Sequence, residues 1–159
     1  MTVDVFSQLA SLPLLVGMTP DHLRSLAQAG GPAPYAAGER IFAEGDPADR
    51  FWLLERGTVA LDLQVPGRGA QVIETLADGA VLGWSWLHPP YRWQFGAVAR
   101  EPLRTITFDA RSVRERCDAD PAFGYAVLRL FTPVLTARLQ ATRLRLLDLY
   151  ATAAQAGQP

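Results

Sequence analysis

The sequence predicts a mainly β domain, a jelly roll of short antiparallel strands with helices at its N-terminus and one long helix at its C-terminus. Three observations carry that class. From Tyr35 to Thr107, short alternating apolar runs are separated by Gly, Pro and Asp, the pattern of half-buried strands joined by turns. On either side the apolar residues instead recur every three or four positions, as on a helix face. No strand–helix–strand alternation appears within the β region, which argues against a parallel sheet.

The elements follow in order. Val5, Phe6 and Leu9 make the apolar patch of a short helix, with Leu12, Leu14 and Leu15 around Pro13 after it. Thr19 caps a second helix that has Pro20 at its first position, and Gly30-Gly31-Pro32 ends it. The β-roll spans about residues 32–108. Arg40-Ile41-Phe42, Phe51-Trp52-Leu53-Leu54-Glu55, Thr58 to Val65, Val72 to Leu76, Gly96 to Ala99 and Leu103 to Phe108 read as strands. Turns at Gly38, Gly45, Gly57, Gly67 and Gly79 separate them. A helical segment covers about residues 110–150, with caps at Asp109 and Asp120. Pro133 is expected to kink or interrupt it, because proline lacks the amide donor and clashes with the preceding turn. Residues 151–159 are small and polar and read as a disordered tail.

Composition bounds the function. The chain has 159 residues, 49% of them hydrophobic and 19% charged, with a formal net charge of -1. That balance gives one ordinary domain and no broad electrostatic surface for nucleic acid. The single cysteine, Cys117, excludes an intrachain disulfide and reads as structural or incidental. Met1-Thr2-Val3-Asp4 is no basic signal-peptide start, and no long charge-free apolar run occurs. The expectation is a cytoplasmic protein with no membrane partner. No nucleophile–base pair, carboxylate pair, Walker glycine run or zinc spacing is present, so no enzyme is expected, and no metal. His22 and His88 are far apart in sequence, without ligand-type neighbours.

The densest chemistry lies between Gly83 and Phe95. Trp84, Trp86, Trp93, Tyr91, Phe95, Arg92 and His88 all fall within those thirteen residues. Rigid amphipathic rings gathered this closely call for a cleft, a hydrophobic layer or an interface. In the C-terminal segment, Leu128, Phe131, Leu135, Leu139, Thr142, Leu146 and Leu149 are spaced close to a heptad. Either the helix packs on its own roll, or the part from about Thr136 to Tyr150 leaves the domain and pairs with its copy. The second, a homodimer seam of Leu135, Leu139, Thr142, Leu146 and Leu149, is the reading adopted. Arg138, Arg143 and Arg145 then form a solvated basic face.

The stretches from Gly38 to Asp49 and from Phe51 to Val59, followed by the long helix, resemble the cyclic nucleotide-binding domain family. The likeness is strongest to the sensory half of catabolite-activator-like regulators and extends from Phe6 to about Tyr150. It implies a cyclic-nucleotide-binding-type double-stranded β-helix and a phosphate-binding cassette between about Gly79 and Ala99. In that cassette a Gly-Glu pair holds the ribose hydroxyls and an Arg-Ser/Thr-Ala run holds the phosphate. Here the glutamate position is Trp84 and the arginine position is Trp93, followed by Gln94 and Phe95.

Each missing hydrogen bond to a charged group removes on the order of 2 kcal/mol. Cyclic AMP capture in the usual way is therefore not expected, unless Arg92 bulges inward or Glu74 or Glu101 approaches the ribose. Two readings stay open. In one, Trp84, Ser85, Trp86, Arg92, Trp93, Gln94 and Phe95 line a cleft for another small ligand. In the other, the rings fill the cradle and the domain is a structural or protein-binding module. Relatives of this kind often carry a DNA-reading helix-turn-helix after the long helix. The nine residues after Tyr150 are too few for one, so no direct DNA binding is expected if the chain is complete.

Overall fold

A computed structural model describes residues 4–157. Helix α1 (Val5–Ala10), a 3-10 turn (Pro13–Leu15) and α2 (Pro20–Ala27) precede eight strands. The Thr19 hydroxyl accepts from the His22 amide and starts α2. The strands are β1 (Gly30–Tyr35), β2 (Arg40–Phe42), β3 (Arg50–Arg56), β4 (Val59–Val65), β5 (Gly69–Leu76), β6 (Val81–Leu82), β7 (Gly96–Ala99) and β8 (Leu103–Asp109). They form two four-stranded antiparallel sheets, β1-β8-β3-β6 and β2-β7-β4-β5. This is the jelly roll the sequence implies.

Strand β1 was not legible, because Gly-Gly-Pro-Ala-Pro-Tyr has the composition of a loop. It is tolerated as an edge: it pairs only with β8, so its prolines remove no second ladder.

Central strand β3 is buried on both faces. Trp52 points between the sheets toward Phe42, their rings 5.4 Å apart, and its Nε1 donates to the Tyr35 hydroxyl. Phe51 points the other way, stacked between Phe108 and Trp86 with both centroids 4.7 Å away. The molecule therefore has two aromatic layers, one inside the roll and one between the roll and its helices.

The C-terminal segment is two helices, α3 (Ala110–Ala119) and α4 (Pro121–Ala156). Asp109 accepts from the Ser112 amide, and Asp120 from the amides of Ala122 and Phe123. Two expectations are corrected, the interruption at Pro133 and the disordered tail. The α4 helix runs through Pro133 without interruption. Phe131, wedged on its ring neighbours Phe51 and Trp86, fixes that turn against the roll. The chain beyond Ala151 is helical to Ala156 rather than a disordered tail, as its alanine content favours. Gln158 and Pro159, like Met1 to Val3, lie outside the described residues.

Candidate functional site

The aromatic segment divides between core and surface. After β6, Gly83 adopts φ 93°, and a Cβ there would stand 2.6 Å from the Trp93 ring. The corner therefore closes only around glycine, with the indole filling the adjacent space. Trp93 is 2% exposed and stacks on Phe42 at 4.0 Å, and Phe95 beside it is 4% exposed. Trp86, on a 3-10 turn (Ser85–Leu87), is wholly buried in the other layer against Phe51 and Phe131. Ser85 is buried with its hydroxyl unpartnered. Trp84 is half-buried.

Arg92 and Gln94 do not join these rings. Both are exposed: Arg92 Nη1 donates to the Gly45 carbonyl at 3.0 Å, and Gln94 bonds the Arg92 carbonyl. The backbone explains this. The amide of Trp93 donates to the Asp46 carbonyl and the amide of Gly45 donates back to Trp93, so the segment zips onto the 44–48 turn. Trp93 is thereby turned inward and its neighbours outward. The one-residue bulge that would aim Arg92 inward is not adopted. Glu101 accepts from the Thr58 hydroxyl, away from the rings.

Glu74 has a partner on α4. Arg138 of α4 is not part of a solvated face: it donates through Nε to Glu74 at 2.9 Å and lies 4.7 Å from the Phe95 ring centroid. It is 6.0 Å from that of Trp84. Burial pulls its pKa down from the usual arginine range, and Glu74 opposes that shift. Its Nη1 and Nη2, and Trp84 Nε1, are buried with no hydrogen-bond partner among the described residues. The signal was present in the spacing: Val127, Phe131, Val134 and Arg138 continue one roll-facing stripe.

A second ion pair, Arg40–Asp62 at 2.8 Å, stands in the β2-β7-β4-β5 sheet. The Asp62 hydrogen bond raises the Arg40 pKa. Gly96 lies against it, so that a Cβ there would displace the tips of both partners.

Residues 32–120, from the first strand through α3, match the family model of the cyclic nucleotide-binding domain. The chain belongs to this family. A CRP-like cAMP-activated global transcriptional regulator of Mycobacterium tuberculosis is 24% identical over 144 residues, covering 91% of this chain. The chain spans 62% of the length of that relative.

Among solved structures, a cyclic nucleotide-binding domain from Methylobacillus flagellatus superposes with TM-score 0.76 at 21% identity, covering 91% of this chain and 82% of its own. The sensor domain of the transcriptional regulator DNR from Pseudomonas aeruginosa gives 0.67 at 20% identity, with 86% and 92% covered. The catabolite activator protein of Thermus thermophilus gives 0.66 at 22%, with 87% and 63% covered. These likenesses are of fold. No helix among the described residues is long and apolar enough to cross a membrane, and no cluster of three or more His, Cys, Asp or Glu is placed to hold a metal.

Proposed function

We propose that this domain is a sensory and regulatory module whose nucleotide cradle is filled by its own side chains, and that it works as a homodimer through the second half of α4. One observation supports the filled cradle above all others. The residue at the phosphate-arginine position is Trp93, packed on Phe42 at 4.0 Å. An indole offers one neutral N–H in place of the charged donor fork of an arginine, and this one spends its face on Phe42. The carboxylate position, Trp84, likewise has no acceptor for ribose hydroxyls.

The test is calorimetric titration of the intact chain with cyclic AMP and cyclic GMP. The expected result is no saturable heat at ligand concentrations up to about 1 mM. Micromolar binding, with the nucleotide seen crystallographically between roll and helix, overturns the reading.

Support for the dimer comes from α4 itself. Leu139 is 51% and Leu146 50% exposed, with Leu149 and Tyr150 barer still, on a helix that has left its own domain.

A second reading is favoured by one observation, the three buried donors on Arg138 and Trp84 that lack acceptors. Orphaned donors of this kind invite an acceptor-bearing ligand or ordered water at the mouth of the cradle. Under this reading a small ligand enters beside Phe95, and Arg138→Gln abolishes its binding. An unchanged affinity in that variant excludes the site.

A further inference from the structure

We propose that the cavity between the 3-10 turn (Ser85–Leu87), α3 and α4 is a binding site for a planar aromatic carboxylate, held by Arg114. The site is separate from the nucleotide cradle and does not depend on whether that cradle is filled.

The cavity measures about 450 Å3, the size of a small-molecule site. Trp86, Leu87 and Tyr91 form one wall, and Val127 and Leu128 of α4 form the other. Arg114 of α3 stands between them. Its Nη1 donates to the Trp86 carbonyl at 2.8 Å, and its guanidinium carbon lies 4.3 Å from the Tyr91 ring centroid. Among the described residues no carboxylate comes within 4.0 Å of it. A ring and a carbonyl thus hold the cation in place while the rest of its donor fork has no anionic partner.

Tyr91 is itself unusual, with φ 54°, a left-handed conformation that bulky residues avoid. Its amide donates to the His88 carbonyl and its own carbonyl accepts from the Ala48 amide, and together they hold the ring over Arg114. Trp86 Nε1, buried in the same wall, also lacks a partner.

The chemistry of the ligand follows from the lining. Flat rings and aliphatic walls select an apolar planar body, and Arg114 selects an anionic acceptor. Asp118, exposed at the edge, disfavours a second negative charge, so a monoanionic carboxylate fits better than a dianionic phosphate monoester. A bound molecule would bear directly on α4. That helix meets α3 closely at Gly124, where a Cβ would lie 3.2 Å from Cys117 Cβ.

Cys117, the one cysteine of the chain, lines this cavity and reports its occupancy. The probes are 2-naphthoate and its neutral counterpart 2-naphthalenemethanol, added to the intact chain. Tryptophan fluorescence is read alongside the alkylation rate of Cys117. We expect 2-naphthoate to quench fluorescence saturably and to slow alkylation in proportion, with the alcohol about tenfold weaker.

Arg114→Gln should weaken naphthoate about tenfold, one charge-assisted contact, and leave the alcohol unchanged. Leu128→Trp, at an exposed position on the rim, should block protection whether or not the Arg114 variant folds. Arg68→Gln, the same loss of charge at an exposed turn between β4 and β5, should change nothing here. Three results overturn the proposal: no binding at concentrations on the order of 1 mM, quenching without protection of Cys117, or equal loss of both probes in the Arg114 variant.

Discussion

The two halves of α4 have similar composition and opposite fates. Up to Val134 the helix is part of the domain: Phe123, Val127, Leu130 and Phe131 are buried, and Asp120 caps the first turn. Beyond Leu139 nothing of the same chain covers it, and Leu144, Leu146, Leu147, Leu149 and Tyr150 stand exposed. Leucine spacing alone does not distinguish these cases, because a core stripe and an oligomer seam obey the same periodicity. Burial of the neighbours separates them, with Arg138 at the boundary, held to Glu74 as the last attachment of the helix to the roll.

That contrast can be broken at either end. Trp86→Ala removes the ring on which Phe131 packs, and should cost about 3–5 kcal/mol in chemical denaturation. A loss below 1 kcal/mol would mean that the near half does not depend on this layer. Gly83→Ala forces a side chain into left-handed backbone and onto Trp93, and should cost roughly 3 kcal/mol by the same assay. Leu139→Asp tests the far half. Sedimentation should report half the parent mass, with the roll's near-ultraviolet dichroism intact. A parent already monomeric, or a variant of unchanged mass, removes the seam.

The smallest effect concerns Cys117, whose thiol is pushed up to about 11 mainly by burial, with Asp118 and Asp120 adding to the shift. The neutral thiol is favoured in the fold, so this group's contribution to stability is present below pH 9 and is lost as pH rises toward 11. The alkylation rate should accordingly keep climbing past pH 9 and level off only near 11. A plateau near 9 would place the thiol in water.

Much of the fold was legible because turn residues and alternation agree locally. Thr19, Asp109 and Asp120 cap as their positions imply, and Gly45, Gly57 and Gly79 occupy the left-handed turns expected of them. Strand β1 was hidden because its edge position, a tertiary fact, excuses Pro32 and Pro34. The helical end of the chain was hidden for a different reason, since alanine-rich polar sequence fits a helix and a loose tail equally well.

In the candidate site, the sequence identified which charges are absent but not which side chains turn inward. Trp93 and Arg92 are neighbours, and only the pairing of their backbone with Gly45 and Asp46 puts one in the core and the other in water. Arg138 could be placed only by extending the buried stripe past a proline that appeared to end it.

The uninterrupted passage of α4 through Pro133 has a mechanical consequence. From the tether at Arg138 to the last turn at Ala156, the helix projects about 27 Å at 1.5 Å per residue. Pivoting at that fulcrum by roughly 5° would displace the far tip by about 2 Å. A rod so anchored acts as a pointer, magnifying a slight tilt at its base into a displacement that, in the proposed dimer, is large enough to alter how the two helices lie together.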